Sequence, residues 1–367
     1  MEFERNLYHG TIKVLLLALL EIKDIISLDS SLVELYDDIL KYLYPLNTTT
    51  LLHNGEEIKL LSVGTKWNGE SVEYCEGDYP FSPFPASELS VVYPTGLVSL
   101  AQKESKLFEL ASNTARVIFD YDVYGKSKMG TSGHAVMPQV AARLGMRGDC
   151  LNILNKYVAD YQVFSNGLTH FADIRTGQFW EDTFHPRIIT DENTTNWETL
   201  HEKSTGTRVE ISSENFLHCY FESASNIMTG INEMMLQSFD SVIRLFPATP
   251  KNYTAIFTLL AINDFLVTSE INHGTIRYVV IQSNIGGRCK IYLPWDEAPI
   301  AVTCDKKPVL FEICNGIVSF DTIQGEKYLV TRSEYPLENY YKDKIECIEN
   351  IAPKAFKRNT LGKQQIY

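Results

Sequence analysis

The strongest constraint on this fold is a change in hydrophobic periodicity near Asp240. Before that residue, apolar side chains recur at the three- and four-residue spacing of amphipathic helices, and SSLVELYDDILKYLY is a clear example. After it, short β-branched and aromatic runs such as FLVTSEI, TIRYVVIQS and KYLVTR are separated by turn residues. The sequence therefore predicts two parts of different class, helices first and antiparallel strands afterwards.

Three regions follow from this pattern. We expect a mainly α region at residues 1–240, a C-terminal antiparallel β-sandwich at 241–335 and a polar, mildly basic tail at 336–367. The helices would suit an α/α toroid or a helical bundle equally well. Residues 47–94 are rich in Gly, Pro and aromatic residues without a period, which predicts a loop. Turn residues typical of β-hairpins separate the later strands, at 272–274, 286–287, 305–306 and 315–316.

The charge balance narrows the class of partner. Among 367 residues, 46 are acidic and 33 are basic, which gives a formal net charge of -13. A chain this acidic is repelled by phosphate backbones and by anionic lipid surfaces. We therefore expect no nucleic acid and no membrane as the partner, and a small or neutral ligand instead.

Cysteine usage and an early apolar run indicate a location. The seven cysteines occur singly, with no Cys-x-x-Cys and no histidine at zinc-ligand spacing. Free thiols are typical of a reducing compartment, so we expect a cytoplasmic protein without a metal site. The run VLLLALL at 14–20 is too short to span a bilayer and lacks a basic flank, which favours a buried helix over a degenerate export signal.

Two acidic neighbourhoods are the remaining candidates for chemistry. The sequence has no Gly-rich phosphate loop, no Gly-x-Ser-x-Gly and no His-Glu-x-x-His. Glu222 lies among small residues that lead into IMTGINEMMLQS, and Glu73 lies with Glu76 and Asp78 in VEYCEGDYPF. Glycosidic hydrolysis needs two carboxyl groups, one as acid and one as base. Taken alone, each of these residues is better explained as a solvated loop charge or a helix cap.

Four segments carry a resemblance to a known family. They are SELSVVYPTG at 87–96, GHAVMPQVAARLGMRGD at 133–149, GINEMMLQS at 230–238 and IRLFPATP at 243–250. Together they resemble motifs of the family-95 glycoside hydrolases, the α-L-fucosidase-like group, over about residues 81–332. The resemblance implies the C-terminal half of an (α/α)6-type toroid of helical hairpins, followed by the C-terminal β-domain of that family.

The resemblance also implies roles for individual residues. Glu222 falls where the family has its aspartate general base, and Glu73 is the nominee for the general acid of an inverting mechanism. Such chemistry needs only carboxyl groups and water, so we expect no metal and no organic cofactor. The residues expected to bind the carbohydrate substrate are His134, Glu88, Asn226 and Trp67.

The chain departs from the family at the sugar-facing positions, whereas the packing positions agree. Glutamate replaces the aspartate base, SASN at 223–226 replaces Gly-Asn-Phe-Gly, and the family's N-terminal β-domain and assisting asparagine pair have no counterpart. Three hypotheses therefore stand. The chain is a hydrolase of α-L-fucosyl or related α-linked sugars, a carbohydrate-binding remnant without hydrolysis, or a subunit that pairs with a separately encoded N-terminal half.

Overall fold

The computed structural model describes residues 5–43, 45–61, 66–67, 72–73, 87–120, 136–160, 187–188, 209–210, 221–295 and 299–332. The chain divides into two compact units, Met1–Leu144 and Gly145–Tyr367. Both units contain helices and antiparallel strands, so the fold mixes helix and strand, whereas the sequence predicted a mainly α region followed by a β domain. None of the helices in these stretches has the length and apolar character that crossing a bilayer requires.

The first unit begins with two helices that have little buried surface. α1 spans Arg5–Glu21, and α2 spans Ser30–Tyr42. α1 contacts both α2 and the 3-10 helix Ser87–Val91. The apolar run in α1 is helical as predicted, but only part of it is buried, because Leu16 is 7% exposed and Leu15 is 55% exposed. α2 contacts α1 and has no buried residue.

Asp29 explains where α2 begins. Its carboxylate accepts a hydrogen bond from the backbone N–H of Ser31 at 2.8 Å and another from the Ser31 hydroxyl at 2.5 Å. An aspartate at this position satisfies N–H groups that have no partner within the helix. These hydrogen bonds hold the pKa of the Asp29 carboxyl group below its ordinary value.

A β-hairpin lies in the stretch 47–94, where the sequence suggested a loop. β1, Thr48–His53, pairs antiparallel with β2, Glu56–Leu61. The turn residues Asn54 and Gly55 have positive φ angles of 52° and 87°, as Asn-Gly does in tight hairpin turns. The prediction was wrong here because the Gly and Pro content of the longer stretch hid a short Thr-rich strand before an Asn-Gly turn.

Hydrogen bonds attach this hairpin to the next long helix. α3 spans Lys106–Ile118, and its buried Thr114 hydroxyl accepts a hydrogen bond from the Leu61 N–H at 2.8 Å. His53 Nε2 lies 2.9 Å from a carboxylate oxygen of Asp120. The hairpin and α3 therefore pack together within the first unit. The other described elements of this unit are β3 (Lys66–Trp67), β4 (Val72–Glu73), the 3-10 helix Leu100–Gln102 and α4 (Met137–Arg143).

The second unit changes from helix to strand close to Asp240, as the periodicity predicted. Its first described elements are α5 (Arg147–Asp160), β5 (Arg187–Ile188), β6 (Val209–Glu210), α6 (Phe221–Met235), β7 (Leu236–Gln237) and β8 (Arg244–Leu245). α5 contacts α6, and β5 pairs with β6. α6 continues directly into β7, which pairs antiparallel with β8.

Two antiparallel sheets over one core complete the second unit. Their strands are β9 (Ala255–Ala261), β10 (Phe265–Asn272), β11 (Thr275–Ser283), β12 (Gly287–Tyr292), β13 (Ile300–Cys304), β14 (Lys307–Pro308), β15 (Glu312–Cys314), β16 (Ile317–Thr322) and β17 (Lys327–Arg332). The larger sheet has the order β14-β13-β17-β11-β10-β9, and the smaller has the order β12-β16-β15. Val279 and Val330 of the larger sheet share one buried cluster with Ile291 and Phe320 of the smaller. The predicted antiparallel strands are confirmed.

Most of the predicted turns join hairpins. Those at 273–274, 305–306 and 315–316 have positive φ at both residues and connect strands that are neighbours in one sheet. The Gly286–Gly287 turn differs, because it leads from β11 in the larger sheet to β12 in the smaller. Residue alternation has the same period in every strand, so it does not show which sheet a strand enters. The sequence analysis also missed β9.

Candidate functional site

Two of the predicted site residues lie on one short hairpin. β3 pairs antiparallel with β4, with Lys66 opposite Glu73 and Trp67 opposite Val72. Trp67 and Glu73 are therefore offset by one position in the ladder, and positions offset by one belong to opposite faces of a two-stranded sheet. The structure thus places the nominated general acid and one nominated sugar-binding residue in the same short ladder, but at positions of opposite faces. Their roles in binding and catalysis stay predictions, and His134 lies outside the described residues.

Glu88 is fully buried. It lies in the 3-10 helix Ser87–Val91, which contacts α1 and α3, and its relative exposure is 0%. The neighbouring Leu89 and Ser90 are buried as well. A side chain without accessible surface does not line an open cleft, which differs from the position that we expected for a sugar-facing residue. Its role in sugar binding stays a prediction.

Glu222 and Asn226 lie in the first and second turns of α6. The apolar spacing of IMTGINEMMLQS predicts a helix from about Asn226, but the helix spans Phe221–Met235 and β7 follows at Leu236–Gln237. Residues 223–225 are serine and alanine, and without a glycine or proline nothing in this segment stops the helix. Positions four residues apart share a helix face, and a helix N-terminus favours a negative charge. These two residues belong to the second unit, whereas Trp67, Glu73 and Glu88 belong to the first.

Arg143 holds together two of the segments that carry the resemblance. Its Nη1 donates a hydrogen bond to the Val92 carbonyl at 2.8 Å, and a longer one to the Pro94 carbonyl at 3.5 Å. The guanidinium carbon lies 4.8 Å from the centre of the Tyr93 ring, within cation–π range. Arg143 comes from AARLG and the turn comes from SELSVVYPTG, so α4 fixes the Tyr-Pro turn within the first unit.

Thr249 links the other two segments that carry the resemblance, GINEMMLQS and IRLFPATP, within the second unit. Its hydroxyl donates a hydrogen bond to the Met234 carbonyl at 2.9 Å, and its own carbonyl accepts one from Arg147 Nη1 at 3.2 Å. The Phe246 N–H donates to the Met235 carbonyl at 2.6 Å. These bonds attach IRLFPATP to the end of α6, which carries GINEMM, and to the first residue of α5.

The buried Cys150 is not a candidate nucleophile. Burial, followed by the negative charges of Glu233 and Asp149, raises the pKa of the Cys150 thiol to about 12. The thiolate is the reactive form of cysteine, so a thiol that stays protonated near neutral pH is inert. Cys150 therefore has a packing role between α5 and α6.

One group among the described residues could offer three metal ligands. Cys304, Asp305 and Glu326 bring one ligand atom each to within 4.8 Å of one another. The Cys304 Sγ donates a hydrogen bond to Glu326 Oε2 at 3.6 Å, and burial together with this bond raises the pKa of the thiol. Metal binding requires the thiolate. The hydrogen bond from Cys304 to Glu326 therefore favours the protonated thiol over a set of metal ligands here.

The sequence analysis did not single out Arg143 or Arg147, although both lie in the quoted segment AARLGMRGD. An arginine can satisfy several carbonyl groups of a turn because its guanidinium carries five N–H donors. Sequence alone does not distinguish such an arginine from a solvated one, because the accepting carbonyls come from residues distant in the chain.

Comparisons with known proteins include a weak likeness among solved structures. No family model and no curated protein matches the chain. Among solved structures, the chain is similar to a GH127 β-L-arabinofuranosidase from Geobacillus stearothermophilus T6, with 11% sequence identity and a TM-score of 0.22. The match covers 56% of this chain and 32% of that protein, about a third of its length. A TM-score this low does not establish a shared fold.

Proposed function

We propose that the chain is a glycoside hydrolase of the family-95 type that acts on α-L-fucosyl or related α-linked sugars with inversion. Its helices are part of an (α/α)6-type toroid in this proposal. Glu222 is the general base that activates water, and Glu73 is the general acid that protonates the leaving oxygen. The residues assigned to sugar binding are Trp67, Glu88, His134 and Asn226.

The position of Glu222 carries the proposal. It lies in the first turn of α6, the helix that continues through GINEMM into β7 and β8 and so into IRLFPATP. The partial positive charge of a helix N-terminus favours the ionised carboxylate, which is the form that a general base requires. Trp67 is assigned to the sugar because aromatic rings stack on sugar faces.

A second candidate is a family member that binds carbohydrate without hydrolysing it. Glu88 is fully buried at a position that the resemblance assigns to the sugar. Glutamate also stands where the family has aspartate, and the extra methylene moves the carboxylate by roughly 1.5 Å, a displacement that can cost about a hundredfold in rate. Both observations favour a site with weakened chemistry.

Kinetics on matched substrates separate the two candidates. On an aryl α-L-fucoside and an aryl α-L-galactoside, we expect Glu222→Gln to lower kcat/KM by about 10²- to 10⁴-fold, the usual contribution of a general base. Glu222→Asp should raise it by up to about a hundredfold, because it restores the shorter side chain. The control Glu57→Gln, at an exposed hairpin position, should change nothing.

Glu73 has a test of its own that depends on the leaving group. An aryl leaving group departs with little help from an acid, whereas a sugar leaving group requires protonation. Glu73→Gln should therefore hydrolyse the aryl glycoside at close to the wild-type rate and lose most activity on an α-L-fucosyl disaccharide. Equal rates for wild type and Glu222→Gln would remove Glu222 from the mechanism. Binding of the sugar by calorimetry, with no hydrolysis by any variant, would favour the second candidate.

A further inference from the structure

α2 carries a row of exposed apolar side chains. The row consists of Leu32, Leu35, Ile39 and Tyr42, which are 38%, 50%, 37% and 70% exposed. Their spacings of three, four and three residues are those of the a and d positions of a coiled coil. We call these four residues the α2 seam.

The seam is distinct from the row that faces α1. Val33, Tyr36 and Leu40 lie beside the seam on the helix surface and are less exposed than its members. α2 contacts α1, and we infer from their partial burial that these three residues face it. The apolar arc of α2 is therefore twice as wide as one helix neighbour needs, and half of it lacks a neighbour within the described part of the chain.

A short helix with half of its apolar arc uncovered has little packing to stabilise it. Isolated helices of this length are marginal in water, and most helical stability in proteins comes from packing of an apolar face. α1 adds further exposed apolar side chains to the same pair of helices, namely Ile12, Leu15 and Leu17. Seven half-exposed side chains of this size expose on the order of 500 Å², which approaches the ~800 Å² that each partner contributes to a standard interface.

We propose that the α2 seam is a dimerisation surface on which the α2 seam of a second copy of this chain docks in antiparallel direction. The spacing is symmetrical about residue 37, so an antiparallel pair places Leu32 opposite Tyr42 and Leu35 opposite Ile39 in both directions. A twofold interface requires such a self-complementary surface, and the spacing of this row sets the register of the pair.

The net charge of the chain predicts how ionic strength affects this dimer. The seam contains no charged residue, whereas each copy has a net charge of -13. Two copies therefore repel each other over a distance, and apolar burial must drive their association. Because salt screens the repulsion without weakening apolar burial, the dimer should become tighter as ionic strength rises.

Sedimentation and light scattering across a concentration series test the proposal on the full chain. We expect a monomer–dimer equilibrium that shifts toward dimer at higher salt. Leu35→Glu and Ile39→Glu should each raise the dissociation constant at least about a hundredfold, because each dimer would bury two unpaired charges. Glutamate forms helices nearly as well as leucine, so circular dichroism should show α2 intact. Leu310→Glu, at a residue that is 94% exposed in the second unit, is the matched control.

Disulfide trapping tests the antiparallel register. Mixing a Leu35→Cys chain with an Ile39→Cys chain should give the 35–39 cross-link, identified by mass spectrometry, in excess over the 35–35 cross-link. A chain that is monomeric at every concentration, or a dimer that tolerates Glu at both positions, would overturn the proposal. So would isolation of the chain with a separately encoded protein on α2, or amide-exchange protection of the seam by another segment of the same chain in a monomer.

Discussion

α2 and the two-sheet core of the second unit show opposite outcomes from equally clear sequence patterns. The sheets bury their inner residues, and Val279, Val330 and Phe320 have no exposed surface. α2 has an apolar arc of the same quality, yet none of its residues is buried. Periodicity therefore shows which face of an element is apolar, and it does not show what covers that face. Substitutions in the two regions should differ accordingly.

The largest difference is expected from truncating an apolar side chain in each region. Phe320 is fully buried, and its ring centre lies 5.4 Å from that of Tyr328. Phe320→Ala should lower the free energy of unfolding of the sheets by about 3–5 kcal/mol, since it removes transfer free energy and leaves a cavity. Leu35→Ala in α2 should change stability by less than about 0.5 kcal/mol in dilute monomer. Urea unfolding followed by circular dichroism measures both, and similar costs would abolish the comparison.

Two glycines of the second unit, Gly274 and Gly325, test how closely its backbone segments pack. Gly274 has a φ of +80°, and an added Cβ would lie 1.4 Å from the Lys251 carbonyl oxygen. Gly325 has a similar φ of +84°, with nothing within 4 Å of an added Cβ. Gly325→Ala should cost about 1 kcal/mol from backbone strain alone. Gly274→Ala should cost at least about 2 kcal/mol, because the backbone must also move. Equal thermal shifts would show that the close approach to Lys251 is absent.

A thiol in the sheet core gives the two regions a different response to pH. Burial raises the pKa of Cys289 to about 12, from 9.0. Above pH 9 the unfolded thiol ionises while the folded one stays neutral, so the free energy of unfolding falls as pH rises from about 9 toward 12. At pH 10 this loss is about 1.4 kcal/mol. Cys289→Ala should remove that part of the slope, and Cys314→Ala, at an exposed strand residue, should leave it.

The smallest effect is expected at the start of α2. Asp29 accepts two hydrogen bonds from Ser31, and these bonds hold its pKa below the ordinary value of 3.8. Its capping contribution is present above that pH and is lost as the carboxylate is protonated at lower pH. Asp29→Ala should speed amide exchange in the first turn of α2 and leave β10 and β11 unchanged. Faster exchange in those strands would mean that the two regions are coupled.

Local signals account for what the sequence predicted well. TIRYVVIQS and KYLVTR became β11 and β17, because alternation and flanking turn residues act within a few residues. The order of strands did not follow, since β17 lies between β11 and β13 and every strand alternates with the same period. β1 and β2 were missed because composition was averaged over too long a stretch, although Asn54 and Gly55 carried the turn signal.

At the candidate site, too, features set by local sequence were predicted and features set by distant contacts were not. The helix that carries Glu222 was predicted, and its start and its end both differed, because helix boundaries depend on weak propensities. The burial of Glu88 could not be predicted, since α1 and α3 cover its 3-10 helix and both are distant in the chain. The hydrogen bonds from Arg143 to the Val92 and Pro94 carbonyls could not be predicted either, because these carbonyls are also distant from Arg143 in the chain.

The central place of β17 has a consequence for biosynthesis. This strand is the last in the described chain, yet it pairs with β11 on one side and β13 on the other. While the ribosome is still making residues 284–326, one edge of β11 has no partner strand in its sheet. Exposed strand edges recruit other chains, so nascent copies of this protein are most vulnerable to aggregation during that interval. A premature stop before Lys327 would make the vulnerability permanent and would direct the product to chaperones and proteases.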